Sequence, residues 1–193
     1  MTRKRISGDK RREEILNVAA DLFIEHGFEG VSMGSLASEI GTSRPNIYTY
    51  FPRLEAILDA LLAEHLARAE ADLIACLPPG QKPDFGVMFG VLSRHRRLLL
   101  LLNCGGSASL RRKREEFDDA MIANLLTHLG STRLAERPQL LPLVSGLLRG
   151  VIYEAVLREK PTISVEELLK DLGPFIDGGV RSVLEREPQA VSD

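Results

Sequence analysis

Apolar side chains recur every three to four residues along almost the whole of this chain, and no stretch alternates one-in-two as a half-buried strand must. That single pattern leaves little besides an all-α fold. Ile15, Ala19, Leu22 and Phe23 mark a first helix ending at His26-Gly27, where glycine suits the left-handed stop. Leu36, Ala37 and Ile40 mark a short second helix stopped by Gly41, and residues 43–50 a third. Leu54, Ile57, Leu58, Leu61, Leu62, Leu66 and Leu73 predict a long helix up to about Cys76, closed by Pro78-Pro79-Gly80. Further helices are expected at about 84–102 (interrupted near Ser93), 108–129, 138–158 and 164–186, the last broken or kinked at Gly173-Pro174. The expected division is an N-terminal domain, 1–52, and a larger helical domain, 53–193.

Charge is informative only locally. The formal net charge is −2, yet residues 1–12 carry Arg3, Lys4, Arg5, Lys10, Arg11 and Arg12 against a single acid, Asp9. Such a run is either a solvated terminus or an arm that follows phosphates beside a DNA-reading element. It precedes no apolar stretch before residue 15, so it does not read as a signal peptide. The longest apolar run, Leu98–Leu102, falls far short of the ~20 residues that cross a bilayer. Cys76 and Cys104 form no disulfide framework, and His26, His65, His95 and His128 have no ligand spacing. A cytoplasmic protein with no metal, no cofactor and no membrane contact is expected.

The stretch from about residue 32 to 51 carries the functional signal. A helix-turn-helix needs a short apolar-faced helix, a tight turn and a second short helix packed across it. Leu36, Ala37 and Ile40 supply the inner face, Gly41 the turn, Ser43 an N-cap, and Pro45 a first-turn residue whose missing N–H costs nothing. At ~100° per residue, Ile47 and Phe51 share the buried side, so Pro45, Asn46 and Thr49 face outward with Tyr48 and Tyr50 on the two edges. Small outward residues suit base edges, and hydroxyl tips at the rim suit phosphates. Arg44, at the helix start, is long enough for either.

Two other classes compete. Gly30-Val31-Ser32-Met33-Gly34 matches the G-x-S-x-G nucleophile elbow of serine hydrolases, but that motif needs a strand before it and a parallel sheet around it. Here a helix and a Gly-Phe-Glu-Gly loop precede it, and no catalytic residue is assigned. A helical scaffold without DNA affinity is the second alternative.

Residues 15–58 resemble the DNA-binding domain of TetR-family (TetR/AcrR) regulators. The resemblance rests on Ala19-Ala20-x-Leu22-Phe23, Gly27-Phe28, Leu36-Ala37, Ile40-Gly41-Thr42-Ser43, Ile47-Tyr48-x-Tyr50-Phe51 and Glu55-Ala56-Ile57-Leu58. It implies a three-helix DNA-binding domain, a homodimer on a palindrome-like operator in double-stranded DNA, and repression relieved by a small-molecule inducer. Carried over by position, it makes Arg44, Pro45, Asn46 and Thr49 the base-facing set, and Ser32, Ser43, Tyr48 and Tyr50 phosphate contacts or caps. Gly34, Arg53 and the arm residues Arg3, Lys4 and Arg5 complete the expected interface. Two positions depart from the pattern: Met33 where many members have Thr or Ser, and Leu54 where many have a phosphate-binding Lys, for which Arg53 is the available substitute.

Beyond residue 53, Leu140, Leu143, Val144, Leu147, Leu148, Val151, Ile152 and Ala155, then Leu168, Leu169, Leu172, Phe175, Ile176, Val180 and Val183, form broad apolar faces. The resemblance implies that such terminal helices build a dimer interface, and Gly146 and Gly150 would permit close helix approach. Phe85, Met88, Phe89, Leu92, Leu99, Phe117 and Met121 are either packing core or the lining of an apolar inducer pocket. His95, beside Arg94 and Arg96-Arg97, either favours an anionic ligand or belongs to a solvated face.

Overall fold

The computed structural model describes residues 8–76 and 85–129, then 146–147, 149–151, 153–158, 164, 166–168, 170–171, 174–175, 178–179 and 182. Seven helices lie within the two long described segments: α1 (Gly8–His26), α2 (Met33–Ile40), α3 (Arg44–Tyr48), α4 (Leu54–Cys76), α5 (Phe85–Arg94), α6 (Arg96–Leu102) and α7 (Ala108–Leu129). The described residues include no strand, as the apolar period requires. The expected break near Ser93 falls at His95, between α5 and α6.

Two compact units result, Met1–Arg68 with Arg97–Arg114, and Ala69–Arg96 with Glu115–Asp193. In the first unit α1, α2 and α3 share one core with parts of α4, α6 and α7. Ile15, Ala19 and Phe23 of α1, Leu36 of α2 and Ile47 of α3 are fully buried, and Ile57, Leu58, Leu61 and Leu62 of α4 join them in burial. Leu98, Leu101 and Leu102 of α6 and Leu110 of α7 add four more buried side chains to the same unit. Each such burial contributes about 1.5–3 kcal/mol against exposure.

Polar contacts seat the corner between α6 and α7 on that first unit. Arg97 donates to the Asn17 carbonyl at 3.0 Å and to Asp21 at 2.9 Å, both on α1. Lys113 pairs with Asp59 of α4 at 2.8 Å. Arg114 closes the corner on itself by donating to the carbonyls of Leu102 and Gly105. The Phe28 N–H donates to the Cys104 carbonyl at 2.7 Å, and one oxygen of Glu29 accepts from the N–H groups of Gly106 and Ser107.

Gly27 ends α1 as expected, but not in the expected conformation. Its φ is +74° with ψ 154°, outside the left-handed helical region, so the chain leaves α1 extended and turns through a 3-10 segment, Phe28–Gly30. Gly41 does adopt the left-handed stop, at φ 69° and ψ 39°.

In the second unit Phe89, Val91 and Leu92 of α5 are buried, His95 meets Asp72 at 2.9 Å, and Arg96 donates to the Val156 carbonyl. Tyr153–Leu157 form a π turn, with Arg158 N–H reaching the Tyr153 carbonyl, where an unbroken α-helix to 158 was expected. A Cβ on Gly146 or Gly150 would meet nothing within 4 Å, so neither glycine serves a close approach among the described residues of this chain. Gly173 lies outside the described residues, and with it the expected kink.

Candidate nucleic-acid interface

The helix-turn-helix is built by local rules that can be followed residue by residue. Ser32 caps α2: its hydroxyl accepts from the Ser35 N–H at 3.0 Å, and the Ser35 hydroxyl accepts from the Ser32 N–H at 2.9 Å. At the other end the Thr42 N–H donates to the Ala37 carbonyl at 2.9 Å, which closes the turn after Gly41. Ser43 then starts α3 from an extended backbone, φ −95° and ψ 149°.

Ser43 does not cap α3 with its side chain, contrary to expectation. The cause lies in its neighbours. A capping hydroxyl accepts from the second or third helical N–H. Pro45 has none, and the Asn46 N–H already donates to the Ser43 carbonyl at 3.0 Å. The Ser43 hydroxyl is left without a partner among the described residues, on an exposed residue.

The outer side of α3 follows the expectation except at Asn46, which was placed facing outward and is half-buried. Ile47 and Phe51 are buried, while Arg44, Pro45, Tyr48 and Thr49 are exposed, Tyr48 by half of its surface. Asn46 and Tyr50 are half-buried, so the two tyrosines differ: Tyr48 stands out and Tyr50 lies closer in. Neither tyrosine has a polar partner among the described residues. Asn46 donates through Nδ2 to the Thr42 hydroxyl at 2.8 Å. The Thr49 hydroxyl donates to the Asn46 carbonyl at 2.6 Å, so its hydrogen is committed to the helix end.

Gly34 and Arg44 belong together. A Cβ on Gly34 would lie 2.3 Å from an Arg44 terminal nitrogen, so the bare first turn of α2 leaves room for the guanidinium of α3. Arg53, exposed, lies 4.0 Å from the Glu55 carboxylate, a separation too long and too open to immobilise it. Leu54 opens α4 half-buried.

Of the basic run, Arg3, Lys4 and Arg5 lie outside the described residues. Arg11 pairs with Glu14 at 2.6 Å, and the Arg12 guanidinium sits 5.0 Å from the centre of the Phe51 ring. Arg12 therefore ties the start of α1 to the end of the helix-turn-helix by a cation–π contact that no local spacing rule would predict.

The elbow motif has the wrong surroundings for acyl transfer. Ser32 follows a 3-10 turn and opens a helix, and among the described residues its hydroxyl meets only Ser35. Of the expected pocket residues, Phe89 and Leu92 are buried, Phe117 is half-buried and Leu99 is buried in the other compact unit. The side chains of Phe85, Met88 and Met121 lie outside those described. No group of three metal-donor side chains gathers among the described residues, and no described helix is long and apolar enough to cross a membrane.

Sequence reasoning missed Thr42 as the partner of Asn46, and Glu29 and Arg97 as the seat of the α6–α7 corner. The one available cue was Gly105-Gly106-Ser107 ahead of a helical period, a loop with two unencumbered amides and an N-cap serine. Cys104 sits in that corner half-buried, and burial pushes its thiol up from 9.0 to about 11, with the Glu29 charge adding in the same direction.

Residues 15–61 match the family described as bacterial regulatory proteins, tetR family. The HTH-type transcriptional regulator EthR of Mycolicibacterium smegmatis is 40% identical over 67 residues, 35% of this chain and 31% of that protein. The tetracycline repressor protein class D of Escherichia coli is 37% identical over 57 residues, 30% of this chain and 26% of that protein. The chain thus matches less than a third of the length of these curated relatives. The crystal structure of a TetR-like transcriptional regulator from Rhodococcus sp. RHA1 shares the fold, with a TM-score of 0.70 at 20% identity over 91% of this chain and 100% of that one. Residues 15–61 are thus similar to the N-terminal domain of the tetR family of bacterial regulatory proteins, and the fold is that of a TetR-like regulator.

Proposed function

We propose that this protein is a sequence-specific DNA-binding transcriptional regulator, a cytoplasmic homodimer that represses from a palindrome-like operator and is released by a small-molecule inducer. The observation that carries the reading is the outer side of α3. Arg44, Pro45, Tyr48 and Thr49 are exposed together on a helix anchored from behind by fully buried Ile47. Arg44, Ser43 and Tyr48 have no polar partner among the described residues, so their hydrogen-bonding groups are open to a ligand. The tetracycline repressor and EthR, which match this domain, are regulators of transcription by name.

In this reading residues 1–52 supply the DNA contacts: Ser32, Gly34, Ser43, Arg44, Pro45, Asn46, Tyr48, Thr49, Tyr50 and Arg53, with Arg3, Lys4 and Arg5 as a phosphate-following arm. Residues 53–193 supply the inducer pocket, drawn from Phe85, Met88, Phe89, Leu92, Leu99, Phe117 and Met121, and the partner contacts. Exposure of Leu147 and of two-thirds of Phe175 in the single chain supports the second role. Dimerisation also answers an energetic need, because one five-residue recognition helix makes too few contacts to read a site tightly.

The test is selection from randomised duplexes at moderate salt, followed by titration of the winning site. Asn46→Ala and Tyr48→Phe should each weaken that site by about tenfold, the scale of a lost specific contact, and Tyr48→Phe, whose hydroxyl has no partner among the described residues, should do so without lowering the melting temperature. Arg3, Lys4 and Arg5 changed together to Ala should flatten the salt dependence. No preference among duplexes, or variants that bind like the parent, would overturn the proposal.

A further inference from the structure

Asn46 is held from one side only. Its Nδ2 donates to the Thr42 hydroxyl at 2.8 Å across the α2–α3 turn, while its Oδ1 accepts from no described residue. A carboxamide can turn over about its last torsion, exchanging donor and acceptor at little steric cost. With Nδ2 turned toward Thr42, the oxygen on the other arm is turned away from the turn. The Thr42 backbone is itself fixed by its N–H to the Ala37 carbonyl, and its hydroxyl, which accepts from Nδ2, is held at the turn beside Asn46.

We propose that Thr42 is a specificity-determining positioning residue, which orients the Asn46 carboxamide so that it reads its base pair with the oxygen and selects an exocyclic amino group in the major groove. This deepens the DNA-binding reading above and rests on it. The amino groups offered there are adenine N6 and cytosine N4, whereas guanine O6 and N7 and thymine O4 are acceptors. Nδ2 keeps one hydrogen beyond the one given to Thr42, so adenine N7 is within its chemistry as well. Thr42 touches no base in this scheme; it acts through Asn46.

The experiment compares full-length parent, Thr42→Val, Thr42→Ala, Thr42→Ser and Asn46→Ala in the same duplex selection. The parent should show one position per half-site that demands adenine or cytosine, and Asn46→Ala should lose that demand. Thr42→Val and Thr42→Ala should flatten the preference at that position alone, and Thr42→Ser, which restores a hydroxyl, should keep it. Base analogues separate the two sources. Purine in place of adenine, or 2-pyrimidinone in place of cytosine, removes the amino group and should cost the parent about tenfold, but the valine variant little. Binding to unrelated duplex and its salt dependence should be the same for all variants.

An unaltered preference and analogue loss in both Thr42→Val and Thr42→Ala would overturn the assignment while leaving DNA binding intact. A parent that selects no duplex would fail the DNA-binding reading itself, and the assignment with it. The alanine variant serves if valine does not fold.

Discussion

Removing the Glu29 carboxylate should loosen the α6–α7 corner from the N-terminal helices. One Glu29 oxygen accepts from Gly106 N–H at 3.0 Å and from Ser107 N–H at 2.9 Å, at the start of α7. Hydrogen bonds to a charged acceptor are worth about 1.5–3 kcal/mol each where water is excluded. Glu29 is exposed, and in Glu29→Ala water can solvate the two amides, so most of that figure is not realised. An anion at a helix start adds about 0.3–1 kcal/mol. A loss of about 1–2 kcal/mol is therefore expected for Glu29→Ala, read from the urea midpoint at constant slope. Glu29→Gln keeps an acceptor without the charge and should lose less. The structure supplies an internal control: a Cβ on Gly105 would lie 2.5 Å from the Glu29 carboxylate and must push it aside. Gly105→Ala should therefore destabilise the parent more than it destabilises Glu29→Ala. If the two changes add independently, or if Glu29→Ala leaves the midpoint in place, the corner is not held by this carboxylate.

Cys104 should be a sluggish thiol at neutral pH, since burial raises it to about 11. In a Cys76→Ser background, iodoacetamide at pH 8 should alkylate it about a hundredfold more slowly in the folded than in the unfolded chain, the factor that two pH units of thiolate population set. Because the unfolded thiol ionises first, near 9.0, stability linked to this group is intact below that pH and declines toward 11; equal alkylation rates would contradict the burial. Glu167 behaves in the opposite sense. The hydroxyl and N–H of Ser164 donate to its carboxylate and hold it below its ordinary 4.5. Its cap is thus in place above that pH and is lost as pH falls through the depressed value. The Glu167 titration followed by NMR should move upward in Ser164→Ala, and an unmoved curve would refute the contact.

What could be read from the sequence was what depends on near neighbours. The apolar period placed α1 to α4 and assigned Ile47 and Phe51 to the buried side, because helical geometry maps spacing directly onto direction. Gly41 was legible for the same reason, as a residue suited to the left-handed stop it adopts. Where two local rules met, the simpler expectation failed: Ser43 was a sound N-cap by type, but Pro45 withdrew one amide and the Ser43 carbonyl took the next. The seat of the α6–α7 corner was not legible. Glu29 and Ser107 are 78 positions apart, and Arg97 and Asp21 are 76 apart. No spacing rule reaches across such intervals, and each partner alone is an ordinary surface residue.

The same distinction sorts the candidate interface. A residue type announces what a side chain can bond, but only its surroundings decide what remains unspent. Ser32 has its hydroxyl engaged in a reciprocal cap, and Thr49 gives its hydrogen to the end of α3. Their capacity to grip a phosphate or a base is reduced before any DNA arrives. Ser43, freed by the failed cap, and Tyr48, half exposed, keep theirs whole, and Asn46 keeps its oxygen. Gly34 contributes by what it lacks, leaving the Arg44 guanidinium space over the first turn of α2. Phosphate grip should therefore fall more for Ser43→Ala than for Ser32→Ala once each is corrected for its own stability. That ordering follows from hydrogen-bond accounting rather than from residue type, since both positions are exposed serines at the start of a helix.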